Sequence, residues 1–431
     1  MKKRKENILV VGIGRVGLPL ALVLADEGYN VVGADLDSQK LELILEGKIP
    51  FIEEGAQLLL TKHLGKSFTV TNENNLTDIL LQSDIVVLTL GTPIDDTFSP
   101  NVDQITSFFE KYSKSFKKNQ LFILRSTVSP GTTEYLVRFL RSRHKIIGKD
   151  IFLAYCPERI AEGKSIEELY QIPQIIGTLD TKSAGLAAKI FGRLTKKLLF
   201  TDSRSAELAK LYCNMYRYID FAIGNEFMMI ADNHERDIYE ILRLVNQDYK
   251  RSGLKGPGFT AGPCLVKDGF FLLDKSPFLD LVAAAWRINE NVPGFLVHKL
   301  KENHKLEGKK IAILGKAFKK NIDDSRYSLS LKLERYFISE GAHVAMHDPY
   351  LTGESLEKVI KNADFLVLAV NHDFYKSLSL KYLAKLVNKN CIICDIWNHF
   401  QTGEINFQLK DMLSEKVSKV KRGSKQIPGK N

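Results

Sequence analysis

Ile8-Leu-Val-Val-Gly12-Ile-Gly14-Arg-Val-Gly17-Leu-Pro-Leu-Ala-Leu-Val-Leu24 decides the fold class of this chain. A short apolar run ends in glycine and leads into the apolar periodicity of Leu18–Leu24. Asn30–Ala34 is apolar again and ends in Asp35. Strand, helix, strand is the opening of a doubly wound α/β sheet. In that setting the glycines of Gly12-x-Gly14-x-x-Gly17 allow a tight turn and a close approach of backbone to a pyrophosphate at the positive end of the helix. Asp35 stands at the end of the next strand, where a carboxylate accepts hydrogen bonds from ribose hydroxyls and repels a 2′-phosphate. No arginine occurs within Leu36–Lys40, so the expected cofactor is NAD rather than NADP.

Outward from this unit, Asp84–Leu90, Leu121–Ser126 and Ile151–Cys156 are near-continuous apolar runs, as parallel strands buried on both faces should be. From Asp202 the character changes. Asp202–Asp232 has no proline and one interior glycine, with Asp202 or Ser203 as a candidate N-cap, and reads as one long helix. Leu208, Leu211, Met215, Ile219 and Ala222 form its apolar stripe. After Leu306-Glu-Gly-Lys-Lys the opening pattern returns: Ile311–Gly315 echoes Ile8–Gly12, His343–Asp348 echoes Val31–Asp35, and Asp364–Val370 echoes Asp84–Leu90. Cys391–Asp395 supplies another strand. This second α/β unit offers only Gly315-Lys-Ala-Phe, without the three glycines, so no dinucleotide is expected there. The expected architecture is α/β, two Rossmann-like doubly wound domains joined by a long central helix and a helical middle domain. The expected spans are 1–200 for the NAD-binding domain, 201–300 for the helical centre with a dimer interface, 301–420 for the second Rossmann-like domain, and 421–431 for a basic tail.

The 431 residues are enough for two or three domains of roughly 100–200 residues each. With 44% hydrophobic and 26% charged residues, the composition excludes a disordered, collagen-like or coiled-coil protein. No apolar run reaches the ~18 residues of a membrane span. Met1-Lys-Lys-Arg-Lys has the charge of a signal-peptide start, but Glu6-Asn7, Gly12 and Gly14 interrupt the apolar stretch after it, and a cytoplasmic protein is expected. The net charge of +10 is spread along the chain, densest at Lys2–Lys5 and Lys416–Lys425. No recognition motif accompanies it, so an anionic small-molecule substrate is expected, with no nucleic-acid or membrane partner. Five cysteines at irregular spacing suit a reduced protein. Cys391-Ile-Ile-Cys394 sits in an apolar strand, where positions three apart face opposite ways and cannot clasp one metal; no metal site is expected.

Three further places carry candidate chemistry. Cys264 lies in Gly262-Pro-Cys264-Leu-Val-Lys267-Asp268 after a turn-rich stretch; it is either an activated thiol or an inert loop cysteine. Lys210 and Asn214 share a helix face with Glu207 and, roughly, Phe221 and Asn225; this is either a functional face or a solvated stripe. Glu158 and Glu162, in Pro157-Glu158-Arg159-Ile160-Ala-Glu162-Gly163, come after the strand ending at Cys156 and face a ligand crevice as general bases, or are plain surface acids.

Together these motifs resemble the UDP-glucose/GDP-mannose dehydrogenase family, NAD-dependent four-electron nucleotide-sugar dehydrogenases. The resemblance covers nearly the whole chain and keeps the family's motif order. It runs through Gly12–Gly17, Gly91-Thr92-Pro93, Ser126-Thr127-Val-Ser-Pro130-Gly131, Pro157–Gly163, Glu207-Leu-Ala-Lys210…Asn214, Cys264…Asp268, and Lys316-Ala-Phe-Lys319…Asp323-Asp324-Ser-Arg326. It implies that Asp35 and Lys40 hold the adenosine ribose and that Thr92, Thr127, Glu162, Lys267 and Arg326 line the cofactor site. It implies substrate contacts from Glu158, Arg159, Ile160 and Lys319, with Lys210 and Asn214 facing the sugar C6 oxygen. Cys264 is then the nucleophile and Asp268 a catalytic carboxylate. The first oxidation uses Lys210 as base, or a water held between Thr127 and Asp268. The aldehyde is captured by Cys264 as a thiohemiacetal, and Glu162 assists hydrolysis of the thioester formed next.

Many family members carry a glycine-richer loop before the cysteine, whereas this chain has Gly258-Phe-Thr-Ala-Gly262-Pro-Cys264. The Pro157–Gly163 string is closer to members acting on N-acetylated UDP-sugars, which implies UDP-N-acetylmannosamine as substrate, with UDP-glucose and UDP-N-acetylglucosamine as alternatives. From another class, a two-electron hydroxyacid-type dehydrogenase shares an NAD domain and a helical centre but leaves Cys264 and the second α/β unit without a task. A non-catalytic NAD-sensing protein would not need Cys264, Lys210, Asn214 and Asp268 together. The apolar and aromatic residues Leu208, Tyr212, Tyr216, Ile219 and Ile223 coat the long helix broadly, and a homodimer is expected.

Overall fold

The computed structural model describes residues 5–96, 99–251, 253–275 and 279–413; the basic tail 421–431 lies outside them. The chain forms two compact units, Met1–Asn214 with Lys267–Phe278, and Met215–Val266 with Leu279–Asn431. Residues 201–300, the helical centre of the sequence reading, divide between them.

The first unit holds an eight-stranded sheet of β1 (Asn7–Val11), β2 (Asn30–Ala34), β3 (Phe68–Thr71), β4 (Ile85–Leu88), β5 (Leu121–Leu124), β6 (Phe152–Tyr155), β7 (Gln174–Thr178) and β8 (Leu198–Asp202). Its order is β3-β2-β1-β4-β5-β6-β7-β8. Neighbours are parallel except β7, which runs antiparallel to β6 and carries β8 parallel to itself. Alternate residues feed two apolar cores: Ile8, Val10 and Val87 on one face, Leu9, Val86 and Leu88 on the other. Both faces being covered is what makes these strands unbroken apolar runs. Strand order reverses between β1 and β4, so the crevice for a ligand opens at their carboxyl ends.

The second unit holds five strands, β9 (Lys310–Leu314), β10 (His343–His347), β11 (Phe365–Leu368), β12 (Ile392–Cys394) and β13 (Asn406–Gln408), in the order β10-β9-β11-β12-β13. Only β13 is antiparallel to its neighbour. The echo read in the sequence is structural: Gly12 and Gly315 have φ of 91° and 101°, and each donates its N–H over 2.7 Å, to Ala34 O and His347 O respectively. Cys391 and Cys394 point into different cores, as the strand geometry requires. Burial raises both thiol pKa values, that of Cys391 to about 12. No group of three or more metal-ligating side chains occurs among the described residues, and no helix among them is long and apolar enough to cross a membrane.

The long helix runs Ser203–Asn233, from the first unit into the second. Asp202 caps it, accepting from the Ser205 N–H at 2.9 Å and the Ser205 hydroxyl at 2.6 Å. Leu211, Met215 and Ala222 are buried as the stripe requires, but Leu208 and Ile219 are only half-buried, and Tyr218 takes the inward place. The buried face is also polar: Glu207, Lys210, Asn214 and Asn225 are all on it. The solvated-stripe alternative for Lys210 and Asn214 is therefore excluded.

Candidate active site

The nucleotide cradle of the first unit is built from backbone. A Cβ on Gly12 would stand 2.9 Å from Thr89 O, and one on Gly17 would overlap the Gly12 carbonyl oxygen, so both positions are closed to side chains. Around Gly14 there is nothing within 4 Å of such an atom. That is the open glycine over which a pyrophosphate can come close to the chain. The helix Gly17–Asp26 starts at the last of these glycines without a side-chain cap, so its positive end lies beside the turn, where a phosphate is favoured. These residues fit NAD. Asp35 directly follows β2, with one carboxylate oxygen accepting from the Asp37 N–H (3.1 Å) and the other from Lys40 Nζ (2.8 Å). The two residues assigned to the ribose thus form a pair. Thr92 and Thr127, on the loops after β4 and β5, are both buried, and Ser126 Oγ ties those loops together by donating to Leu90 O at 2.6 Å.

The loop Pro157–Gly163 after β6 is stapled by carboxylates from three directions. Glu158 forms a buried ion pair with Arg125 and accepts from the N–H groups of Arg159 (2.7 Å) and Ile160 (3.0 Å). It is not a surface acid. Arg125, 2% exposed, also donates to Gln174 and stacks over Phe191. Glu168 accepts from the Ala161 N–H at 2.6 Å. Glu53 accepts from the N–H groups of Gly163 (3.0 Å) and Ser165 (2.6 Å); its burial raises its pKa, and these hydrogen bonds oppose the rise. Glu162 is half-buried between these anchors. Arg159 donates to Pro173 O.

Glu207 is fully buried and accepts from the Gly131 N–H (2.6 Å), the Thr133 N–H (2.8 Å) and the Thr133 hydroxyl (2.6 Å). It thereby ties the Ser126–Gly131 loop to the long helix one turn before Lys210. One turn after Lys210, Asn214 donates through Nδ2 to Asp268 Oδ2 at 2.6 Å. Lys267 Nζ donates to the other Asp268 oxygen at 3.0 Å and lies 4.7 Å from the Phe271 ring. Asp268 has no exposed surface. A fully buried carboxylate held by an amide and an ammonium, with Lys210 on the same helix face, is a preorganised polar set of the kind that stabilises developing charge.

In the second unit, Cys264 is exposed, whereas Cys156, Cys391 and Cys394 are buried and Cys213 is half-buried. Burial pushes the Cys156 thiol up to about 12, so it is a poor nucleophile. The loop before Cys264 lies on aromatic rings. Gly262 has φ of 106°, and a Cβ there would stand 2.6 Å from the Phe318 ring; one on Gly258 would overlap Trp397. Gly258 donates its N–H to Asn225 Oδ1 at 2.8 Å, tying the loop to the long helix. Phe318 belongs to the Lys316–Lys319 motif, so the cysteine loop and the Lys319 loop are packed neighbours. Arg326 is held on Asp324 through Nε (3.0 Å) and Nη2 (2.6 Å). Arg125, Glu53 and Glu207 as anchors escape the sequence reading, because their partners are far away along the chain.

Residues 6–195 match the NAD binding domain of the UDP-glucose/GDP-mannose dehydrogenase family, residues 204–292 its central domain and residues 312–402 its UDP binding domain. The chain is 31% identical over 407 residues to a UDP-N-acetyl-D-mannosamine dehydrogenase of Methanocaldococcus jannaschii, covering 91% of this chain and 92% of that one. It is 33% identical over 401 residues to the enzyme of the same name from Pyrococcus horikoshii, covering 90% and 94%. The solved structure of the UDP-D-ManNAc dehydrogenase from P. horikoshii superposes with a TM-score of 0.83 at 32% identity, over 89% of this chain and 93% of that one.

Proposed function

The chain belongs to the UDP-glucose/GDP-mannose dehydrogenase family and is an NAD-dependent UDP-sugar dehydrogenase, and from that premise we propose that it oxidises the C6 hydroxyl of UDP-N-acetyl-D-mannosamine to the carboxylate. The relatives named for that sugar and the Pro157–Gly163 string support this choice of substrate. The observation that carries the four-electron reading is an exposed thiol four residues before a fully buried carboxylate already held by Asn214 and Lys267. Bound NAD supplies the hydride acceptor for each of two oxidations. Lys210 removes the C6 hydroxyl proton, or a water held by Thr127 and Asp268 does so. The Cys264 thiolate adds to the resulting aldehyde carbon, and Lys210 and Asn214 stabilise the oxyanion of the thiohemiacetal. The second oxidation leaves a thioester. Water, assisted by Glu162, breaks the carbon–sulfur bond to release the uronate and regenerate the thiol. Glu158 holds Arg159 and Ile160 toward the substrate, and Lys319 is a further substrate contact.

The test is NADH release against UDP-N-acetylmannosamine, UDP-glucose, UDP-N-acetylglucosamine, UDP-N-acetylgalactosamine and GDP-mannose. Two NADH per sugar with the first of these is expected. One NADH per sugar supports the two-electron alternative, and turnover with GDP-mannose alone overturns the nucleotide assignment.

Asp35 and Lys40 hold the adenosine ribose, with Thr92, Lys267 and Arg326 completing the cofactor's surroundings. Asp35→Ala is expected to weaken NAD roughly tenfold or more, by loss of charge-assisted hydrogen bonds, and to narrow the preference over NADP. Equal turnover of the unaltered protein with NADP would remove the ribose assignment. The long helix also forms a two-fold dimer interface. Tyr212, Tyr216, Phe227 and Ile230 are exposed along it, with Ile219 and Ile223 half-buried between them, at the three- and four-residue spacing of a single stripe. Sedimentation at micromolar concentration should show a dimer; a monodisperse monomer would sink the idea. The cytoplasm is the proposed setting, consistent with five cysteines at irregular spacing.

A further inference from the structure

The second α/β unit lacks the glycine-rich phosphate turn of the first, and its switch point is built differently. Strand order reverses between β9 and β11, so a ligand crevice opens between the loops at their carboxyl ends. The β9 loop runs from Gly315 through Lys316, Lys319 and Lys320 to Asn321. The β11 loop runs from Ala369 to Asp373. A chain of hydrogen bonds crosses from one to the other. Asn321 donates its N–H to His372 Nδ1 at 2.8 Å. An imidazole nitrogen that accepts a backbone N–H carries no proton, so in the neutral ring the proton is on Nε2, which faces Asp348 Oδ2 at 3.1 Å. Asp348 Oδ2 also accepts from the N–H groups of Lys316 (2.7 Å) and Ala317 (2.9 Å), while Oδ1 accepts from the Tyr350 N–H (2.9 Å). Asn321 Oδ1 accepts from the Asp373 N–H (2.9 Å) and the Tyr350 hydroxyl (3.3 Å). The His372 and Asp348 side chains are both 0% exposed.

Asp348 follows β10 as Asp35 follows β2. Both accept from the N–H two residues on, but Asp35 is left partly exposed beside Lys40 whereas Asp348 is consumed internally. We infer that His372 and Asp348 are positioning residues for the UDP-sugar. As a buried pair they brace the lysine-bearing loop Lys316–Asn321 across the switch point, so that it meets the uridine diphosphate in one fixed shape. This rests on the reading of residues 312–402 as a UDP binding domain. Neither residue touches the reacting carbon, so their effect falls on affinity rather than on chemistry.

Two substitutions separate the two bonds of the ring. His372→Asn places an oxygen near the Nδ1 position and keeps an acceptor for the Asn321 N–H. His372→Gln places an amide nitrogen near Nε2, keeps the bond to Asp348 and loses that acceptor. Calorimetric titration of the full-length protein with UDP is expected to show His372→Gln weakened roughly ten- to a hundredfold, as for a buried N–H left without a partner, and His372→Asn weakened much less. NAD affinity should hold, and in steady state KM for the UDP-sugar should rise with kcat nearly unchanged. Tyr350→Phe removes one bond at the outer edge of the loop, keeps the test alive where a His372 variant does not fold, and should weaken UDP roughly two- to tenfold. Absence of UDP binding by the unaltered protein overturns the UDP-binding reading and the inference with it. Native-like UDP affinity in His372→Gln or Tyr350→Phe, or equal losses in the Asn and Gln variants, overturns the inference alone.

Discussion

Cys264→Ser should retain the fold and bind NAD normally, yet lose steady turnover by orders of magnitude. The fold is safe because Cys264 is exposed, so the change leaves no cavity. Turnover is lost because a serine hydroxyl is a far weaker nucleophile at neutral pH than a thiol that is already partly thiolate. The first oxidation does not need the sulfur, so aldehyde or a slow ester should accumulate, and NADH per sugar should move from two toward one. Alkylation of the native protein should abolish activity, with protection by the nucleotide sugar. The thiols of Cys156, Cys391 and Cys394 are buried with raised pKa values and should react slowly. Near-native turnover by Cys264→Ser, or mapping of the inactivating alkylation to Cys156 or Cys213, would remove the covalent route.

Lys210→Met is the second large effect. Methionine keeps the length of the buried stem and the helix propensity while deleting the ammonium, so packing changes little. In the proposed roles of base and oxyanion partner, loss of the Lys210 ammonium should lower kcat by roughly 10²–10⁴-fold, with NAD and UDP affinities within a few-fold of native. The comparison with Asp268→Asn assigns the base. If Lys210→Met keeps kcat within tenfold while Asp268→Asn does not, the proton leaves through the water between Thr127 and Asp268.

Patterns carried by neighbours in the chain are legible in the sequence. β1, β2 and the turn between them come from local periodicity and three glycines, and the N-cap at Asp202 from residue type. β3, β7 and β8 are not legible in this way. β3 mixes threonine into four residues, and β8 is a sheet edge whose apolar part is only Leu198–Phe200, with Leu199 and Phe200 exposed, so neither reads as a covered strand. The glutamates are harder still. Glu207 meets Gly131 across 76 residues and Glu53 meets Gly163 across 110, distances over which no spacing rule operates. Asp348 is visible as the counterpart of Asp35, but its different use depends on His372, which sits in a loop with no periodic signal.

The rings beneath the cysteine loop tie together sequence positions that no motif joins. Gly258 and Gly262 are confined by Trp397 and Phe318, which come from the loops after β12 and β9. The glycine pattern in front of Cys264 is therefore written partly by the loops of the five-stranded sheet. A side chain at 262 or 258 would need room cleared at Phe318 or Trp397, and at 262 it would also have to bear the left-handed φ of 106°. The loop that bears the thiol and the loops after β9 and β12 are thus fitted to one another, so that a change of size in one calls for a change in the other.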